Sequence, residues 1–114
     1  MTQDTTTERL PAAVSTYLTT PKAELSSMIS ELFTADSVVH DEGQTHIGLD
    51  AIRTWTDNIS AAFSFTRTIT SSILTGNAAI VLARLEGDFP GSPVDLHHHF
   101  SLAGDKISAL TICP

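Results

Sequence analysis

Residues 33–55, FTADSVVHDEGQTHIGLDAIRTW, decide the fold. The stretch closes an amphipathic helix, carries Asp41 to the tip of a short strand, and opens a second helix behind Gly48. A carboxylate set between two helices with apolar faces is expected to look into a cavity rather than into bulk water. Partial desolvation of that kind is what tunes a carboxylate as a general base.

Upstream of this stretch the pattern is helical. Residues 8–18 carry Leu10, Val14, Tyr17 and Leu18 at helical spacing. Thr20-Pro21 reads as a cap followed by proline at the first helical position. Leu25, Met28, Ile29, Leu32 and Phe33 then repeat at i, i+3, i+4, i+7 and i+8, as one amphipathic helix does. Beyond Gly48, Asp50 is expected to cap a third helix with an apolar stripe of Ile52, Trp55, Ile59 and Ala62 or Phe63.

Downstream the pattern is extended. Residues 63–75 are rich in Thr, Ile and Phe and stop at the Gly76-Asn77 turn signal. Residues 78–89 follow, until Pro90-Gly91-Ser92-Pro93 breaks them, and 94–102 with 107–112 form a hairpin around residues 103–106. Within 94–102, Val94, Leu96, His98, Phe100 and Leu102 share one face, and Asp95, His97, His99 and Ser101 the other. The apolar set faces the core, so His98 points inward while His97 and His99 point outward. Helices first and consecutive strands after them predict an α+β fold, with about three N-terminal helices on one face of a strongly curved, mostly antiparallel sheet. Such a sheet leaves a cone-shaped pocket. Residues 8–114 read as a single domain behind a frayed tail, 1–7.

The bulk numbers exclude several classes of function. A chain of 114 residues buries one core. A net charge of −7, with only six scattered basic residues, argues against nucleic acid, whose phosphates need clustered Lys and Arg. No apolar run reaches the ~20 residues of a membrane helix, and the polar, Thr-rich N-terminus is no secretory signal. The lone Cys113 fits a reducing compartment, hence a cytoplasmic location, and reads as a small buried apolar residue.

The phrase TADSVVHDEG, the following Gly48-Leu49-Asp50-Ala51-Ile52 and the closing Gly104-Asp105-Lys106-Ile107 resemble the NTF2-like superfamily, which contains ketosteroid isomerase and SnoaL-type polyketide cyclases. The resemblance runs from about residue 8 to residue 112 and implies the order helix, helix, short hairpin, helix, curved meander. Aligned with the ketosteroid isomerases, Asp41 falls on the Asp that moves a proton between carbons, and Tyr17, the sole tyrosine, falls on the oxyanion-hole tyrosine. The chain departs from them where they carry a protonated Asp on a later strand, His98 being the nearest match. Two further tyrosines of their hydrogen-bond network correspond to Phe33 and Thr56. The resemblance also implies a homodimer formed through the outer sheet face, where Ile80, Leu82, His97 and His99 contribute.

Each candidate has a plainer alternative. Asp41 is the expected base, or a solvated turn residue beside Glu42-Gly43. Tyr17 is the expected oxyanion donor, or a core tyrosine; His98 is a second donor or acid, or a hydrogen-bonded core histidine. Val39, Trp55, Phe65 and Phe100 are expected to line the pocket around a small apolar or carbonyl-containing ligand. His97 and His99, with His40, His46 or Asp95, spell a zinc-like pattern, but their outward face suits surface or subunit contact, and no metal site is assigned. Asp36 is read as capping the turn after the second helix, and Arg67 and Arg84 as meeting Glu86 or Asp88. The expected activity is proton transfer next to a carbonyl, as isomerase, cyclase or dehydratase, with no cofactor needed. The alternative is a non-catalytic ligand-binding or dimerisation module of the same fold.

Overall fold

A computed structural model describes residues 10–114; the proposed tail, and the first residues of the 8–18 helix, lie outside them. Helix α1 spans Ala12–Thr19 and buries Ala13, Val14, Tyr17 and Leu18. Thr20 closes it rather than opening the next helix. Its N–H and its hydroxyl both donate to the Thr16 carbonyl, at 2.9 and 2.6 Å, which closes the last turn.

The expected second helix is present but broken. It runs as α2, Lys22–Leu25, a 3₁₀ turn, Ser26–Met28, and α3, Ile29–Leu32. Two consecutive serines are weak helix formers, and Arg53 Nε donates to the Ser26 carbonyl at 3.4 Å. The apolar spacing survives the break, since Leu25, Ile29, Leu32 and Phe33 are all buried.

Strand β1, Phe33–Asp41, turns through Glu42 and Gly43 into β2, Gln44–Ile47. Both turn residues have positive φ, 53° and 76°, the geometry of a type I′ hairpin. That turn sets Asp41 at the tip, opposite Gln44. Asp36 lies inside β1, where Thr34 Oγ1 donates to its carboxylate at 3.1 Å. Gly48, at φ 88°, starts α4, Leu49–Ala62, and its N–H donates to the Ser37 carbonyl at 2.9 Å. Asp50 sits in the first turn and pairs with Arg53 at 3.1 Å instead of capping. The inward stripe of α4 is Ile52, Trp55 and Thr56, with Ile59 partly buried; Ala62 is exposed.

The remaining strands are β3, Phe65–Thr75, β4, Ala78–Gly87, β5, Val94–Ala103, and β6, Lys106–Cys113. The six strands form one open sheet in the order β2-β1-β6-β5-β4-β3. Every pairing is antiparallel except β1 with β6. Register shifts in the β1–β6, β3–β4 and β5–β6 pairings bend the sheet, as bulges do. The helices cover the concave face, and the core between them includes Val14, Tyr17, Phe33, Ile52, Phe100 and Leu110. The fold is α+β with a curved, unclosed sheet. Among the described residues no helix is long and apolar enough to cross a membrane.

Candidate active site

Strand register builds the site. Asp41 pairs with Ile112, and Ile112 with His98, so the three occupy one row on the concave face. Two strand spacings separate Asp41 from His98, roughly 10 Å between backbones. A cavity of about 590 Å³ opens above this row. Helix α4 supplies Trp55 and Ile59 to its wall, and Phe63 follows just past its end; the sheet supplies Phe65, Leu85, Leu96 and Ile112. The β4–β5 loop closes one side with Phe89, whose ring meets Phe63 at 6.3 Å and Phe65 at 6.0 Å. That loop is pinned: Ser64 N–H donates to Asp88 Oδ1 at 2.8 Å, and Gly87 N–H to Ser92 Oγ at 2.9 Å.

Few polar side chains interrupt this lining. Asp41 is half-buried, and Trp55 Nε1 donates to its Oδ2 at 3.1 Å. The indole orients the carboxylate. His98 is fully buried, stacked on Phe100 at 6.3 Å with planes 14° apart. The alternation read from residues 94–102 sets it facing inward. Arg67 is the basic residue on the wall.

The expected site residues divide into two groups. Asp41, Trp55, Phe65 and His98 line the cavity. Tyr17, Val39 and Phe100 lie in the core beneath, each 0–1% exposed, and are not on the wall. Tyr17 meets Phe33 and Phe100 edge-on at 6.0 and 5.8 Å, with the Arg67 guanidinium 5.3 Å above its ring. Burial holds its phenol above the usual 10.0; Arg67 pulls it down by charge and hydrogen bonding, and Asp41 pushes it up. The phenol therefore stays protonated and can act only as a neutral group.

Arg67 was not expected here. Arg84 meets Asp95 at 3.2 Å, not Glu86 or Asp88, and Arg67 turns inward. Its Nη1 donates to the Leu18 carbonyl at 3.4 Å. The signal that would have found it is the alternation Phe65-Arg67-Ile69, which shares the period and the face of the apolar strand residues. His97 and His99 lie on the convex face with ring centroids 6.2 Å apart. Among the described residues no three His, Cys, Asp or Glu side chains gather to hold a metal ion. Cys113 is half-buried at the cavity rim rather than sealed in the core.

Residues 14–110 match the family described as SnoaL-like domain. The crystal structure of a candidate polyketide cyclase from Sinorhizobium meliloti is 34% identical, with a TM-score of 0.88 over 95% of this chain and 99% of that one. A protein of ketosteroid isomerase-like fold from Catenulispora acidiphila, in complex with trimethylamine, is 22% identical, with a TM-score of 0.73 over 96% and 87%. An epoxide hydrolase from Mycobacterium tuberculosis, of the LEH-like type, is 15% identical, with a TM-score of 0.73 over 90% and 79%. The last two share the fold. Among curated proteins, none matches this chain.

Proposed function

The chain belongs to the SnoaL-like domain family of the NTF2-like superfamily, and we propose that it is a small-molecule enzyme catalysing proton transfer next to a carbonyl. One observation supports this above the others. A carboxylate held by an indole N–H at 3.1 Å stands on the wall of an apolar cavity of about 590 Å³, two strands from a buried imidazole.

In this reading Asp41 removes a proton from the carbon beside the carbonyl. The electron pair moves toward oxygen, and His98 donates a hydrogen bond to the enolate that forms. The gap of roughly 10 Å between the two backbones accommodates a carbonyl carbon and its neighbour between the side-chain ends. Asp41 then returns the proton to another carbon, which isomerises the substrate. Alternatively the enolate attacks an internal carbonyl, whose oxygen takes the proton back from Asp41 as the ring closes, or it expels a β-hydroxyl, which leaves as water with that same proton. Neither group needs a cofactor for these steps. Tyr17, buried behind the wall, acts in this scheme through Arg67 as a positioning residue.

The test is exchange of α-protons in D₂O, followed by NMR on cyclic ketones. The wild-type protein should accelerate exchange, and Asp41→Asn should lower the rate by about 10²–10⁴-fold with ligand binding retained. Ketones that bind without exchanging would leave a non-catalytic binding or dimerisation module in its place. We also propose pairing through the convex sheet face. Ile73 and Ile80, 64% and 37% exposed, face each other across β3 and β4, and Ile80 adjoins His99. Light scattering should give twice the chain mass, reduced to one by Ile80→Lys.

A further inference from the structure

Arg67 is the cation on the cavity wall that the chemistry above leaves without a direct task. Its surroundings differ from those of the other two arginines with assigned contacts. Arg53 pairs with Asp50 and Arg84 with Asp95, both at the surface; among the described residues Arg67 is in no ion pair. Its guanidinium lies over two aromatic rings, 5.3 Å from the centroid of Tyr17 and 5.9 Å from that of Phe65. Ring faces hold a cation in place but do not neutralise it. Its Nη1 donates to one backbone carbonyl, at the long distance of 3.4 Å, and its buried Nε–H has no acceptor among the described residues. A partly buried cation in that state is stabilised by any anion that enters beside it.

The fold also separates the charges along the cavity. Arg67 belongs to the row Arg67–Leu85–Val94, whereas Asp41 lies in the row with Ile112 and His98, at the end where Glu42 also lines the wall. An anionic group is drawn to Arg67 and repelled by Asp41 and Glu42, so the direction of a bound molecule is set. We propose that Arg67 is the counter-ion of a carboxylate carried by the substrate, so that the cavity takes an apolar oxo acid. The assignment of its carbonyl to Asp41 and His98 rests on the proton-transfer reading; the carboxylate contact does not. One guanidinium facing two carboxylates in an apolar space suits a single negative charge, not the second charge of a phosphate monoester.

The probes are 4-phenylbutanoate and its neutral amide, 4-phenylbutanamide, titrated against the fluorescence of Trp55, the sole tryptophan and a wall residue. The wild-type protein should bind the acid at least tenfold more tightly than the amide. Arg67→Gln should bring the two within twofold while amide affinity stays put, and Arg67→Lys should keep part of the preference. Should Arg67→Gln not fold, the wild-type pair and Arg67→Lys still decide. Asp41→Asn should keep the preference, so an absence of proton exchange, which would sink the enzyme reading, leaves this result standing. Equal affinity for acid and amide, no quenching by either, a preference that survives Arg67→Gln, or tighter binding of 3-phenylpropyl phosphate would each overturn the proposal.

Discussion

Replacing Tyr17 by Phe separates a donor at the reacting oxygen from a residue that acts behind the wall. The substitution keeps the ring, and with it the edge contacts to Phe33 at 6.0 Å and Phe100 at 5.8 Å and the Arg67 contact at 5.3 Å. Only the hydroxyl is lost. Its hydrogen bonding contributes about 0.5–1.5 kcal/mol, partly offset because a buried hydroxyl no longer has to leave water. Stability in urea, followed by Trp55 fluorescence, should therefore fall by less than about 1.5 kcal/mol. If the hydroxyl serves only to position Arg67, the exchange rate should fall by no more than about tenfold, since tenfold is 1.4 kcal/mol. A donor in contact with a developing oxyanion behaves otherwise, and its removal costs about 10²–10³ in rate. A hundredfold loss of exchange with stability retained would refute the reasoning. It would mean that the Tyr17 hydroxyl reaches the substrate and that the wall above it opens during turnover.

Three other outcomes are expected. Absorbance at 295 nm reports Tyr17 alone, the chain having one tyrosine. Its folded-state pKa is raised, so the protonated phenol's contribution to stability is complete below pH 10.0 and is lost as pH rises beyond it. Phenolate should appear only together with loss of the far-UV dichroism; half-ionisation at pH 10.0 with the fold intact would contradict the buried phenol. Trp55→Phe removes the 3.1 Å bond to Asp41, and should cost about 1–2 kcal/mol in urea and about tenfold in exchange while binding persists. An unchanged rate would show that the indole does not orient the carboxylate. Glu42→Asn puts a residue suited to positive φ at the first turn position, where φ is 53°, and should raise stability by about 0.5 kcal/mol on thermal unfolding.

Much of the fold was legible because its signals are local and periodic. Strand alternation over residues 94–102 put His98 inside, and the Asp-Glu-Gly sequence put Asp41 at a hairpin tip; both follow from backbone geometry. The break in the second helix was hidden because Leu25, Ile29 and Leu32 keep the same spacing whether or not the backbone tightens between them. Arg67 was hidden for another reason. Charged strand residues usually face water, and the inward period of β3 is diluted by threonines and serines on both faces. The distinction between wall and core, which divides Trp55 from Val39 and Phe100, depends on how deeply the helices seat on the sheet. Residue spacing carries no information about that depth.

The parallel pairing of β1 with β6 has a practical consequence. It brings the end of the last strand beside Asp41, so Cys113 and Pro114 stand at the cavity mouth. Anything joined after Pro114 leaves the molecule through its own doorway. A purification handle attached there hangs over the entrance, and a short or bulky one obstructs the compounds being screened. A thiol label on Cys113 becomes a sensor of occupancy rather than a bystander.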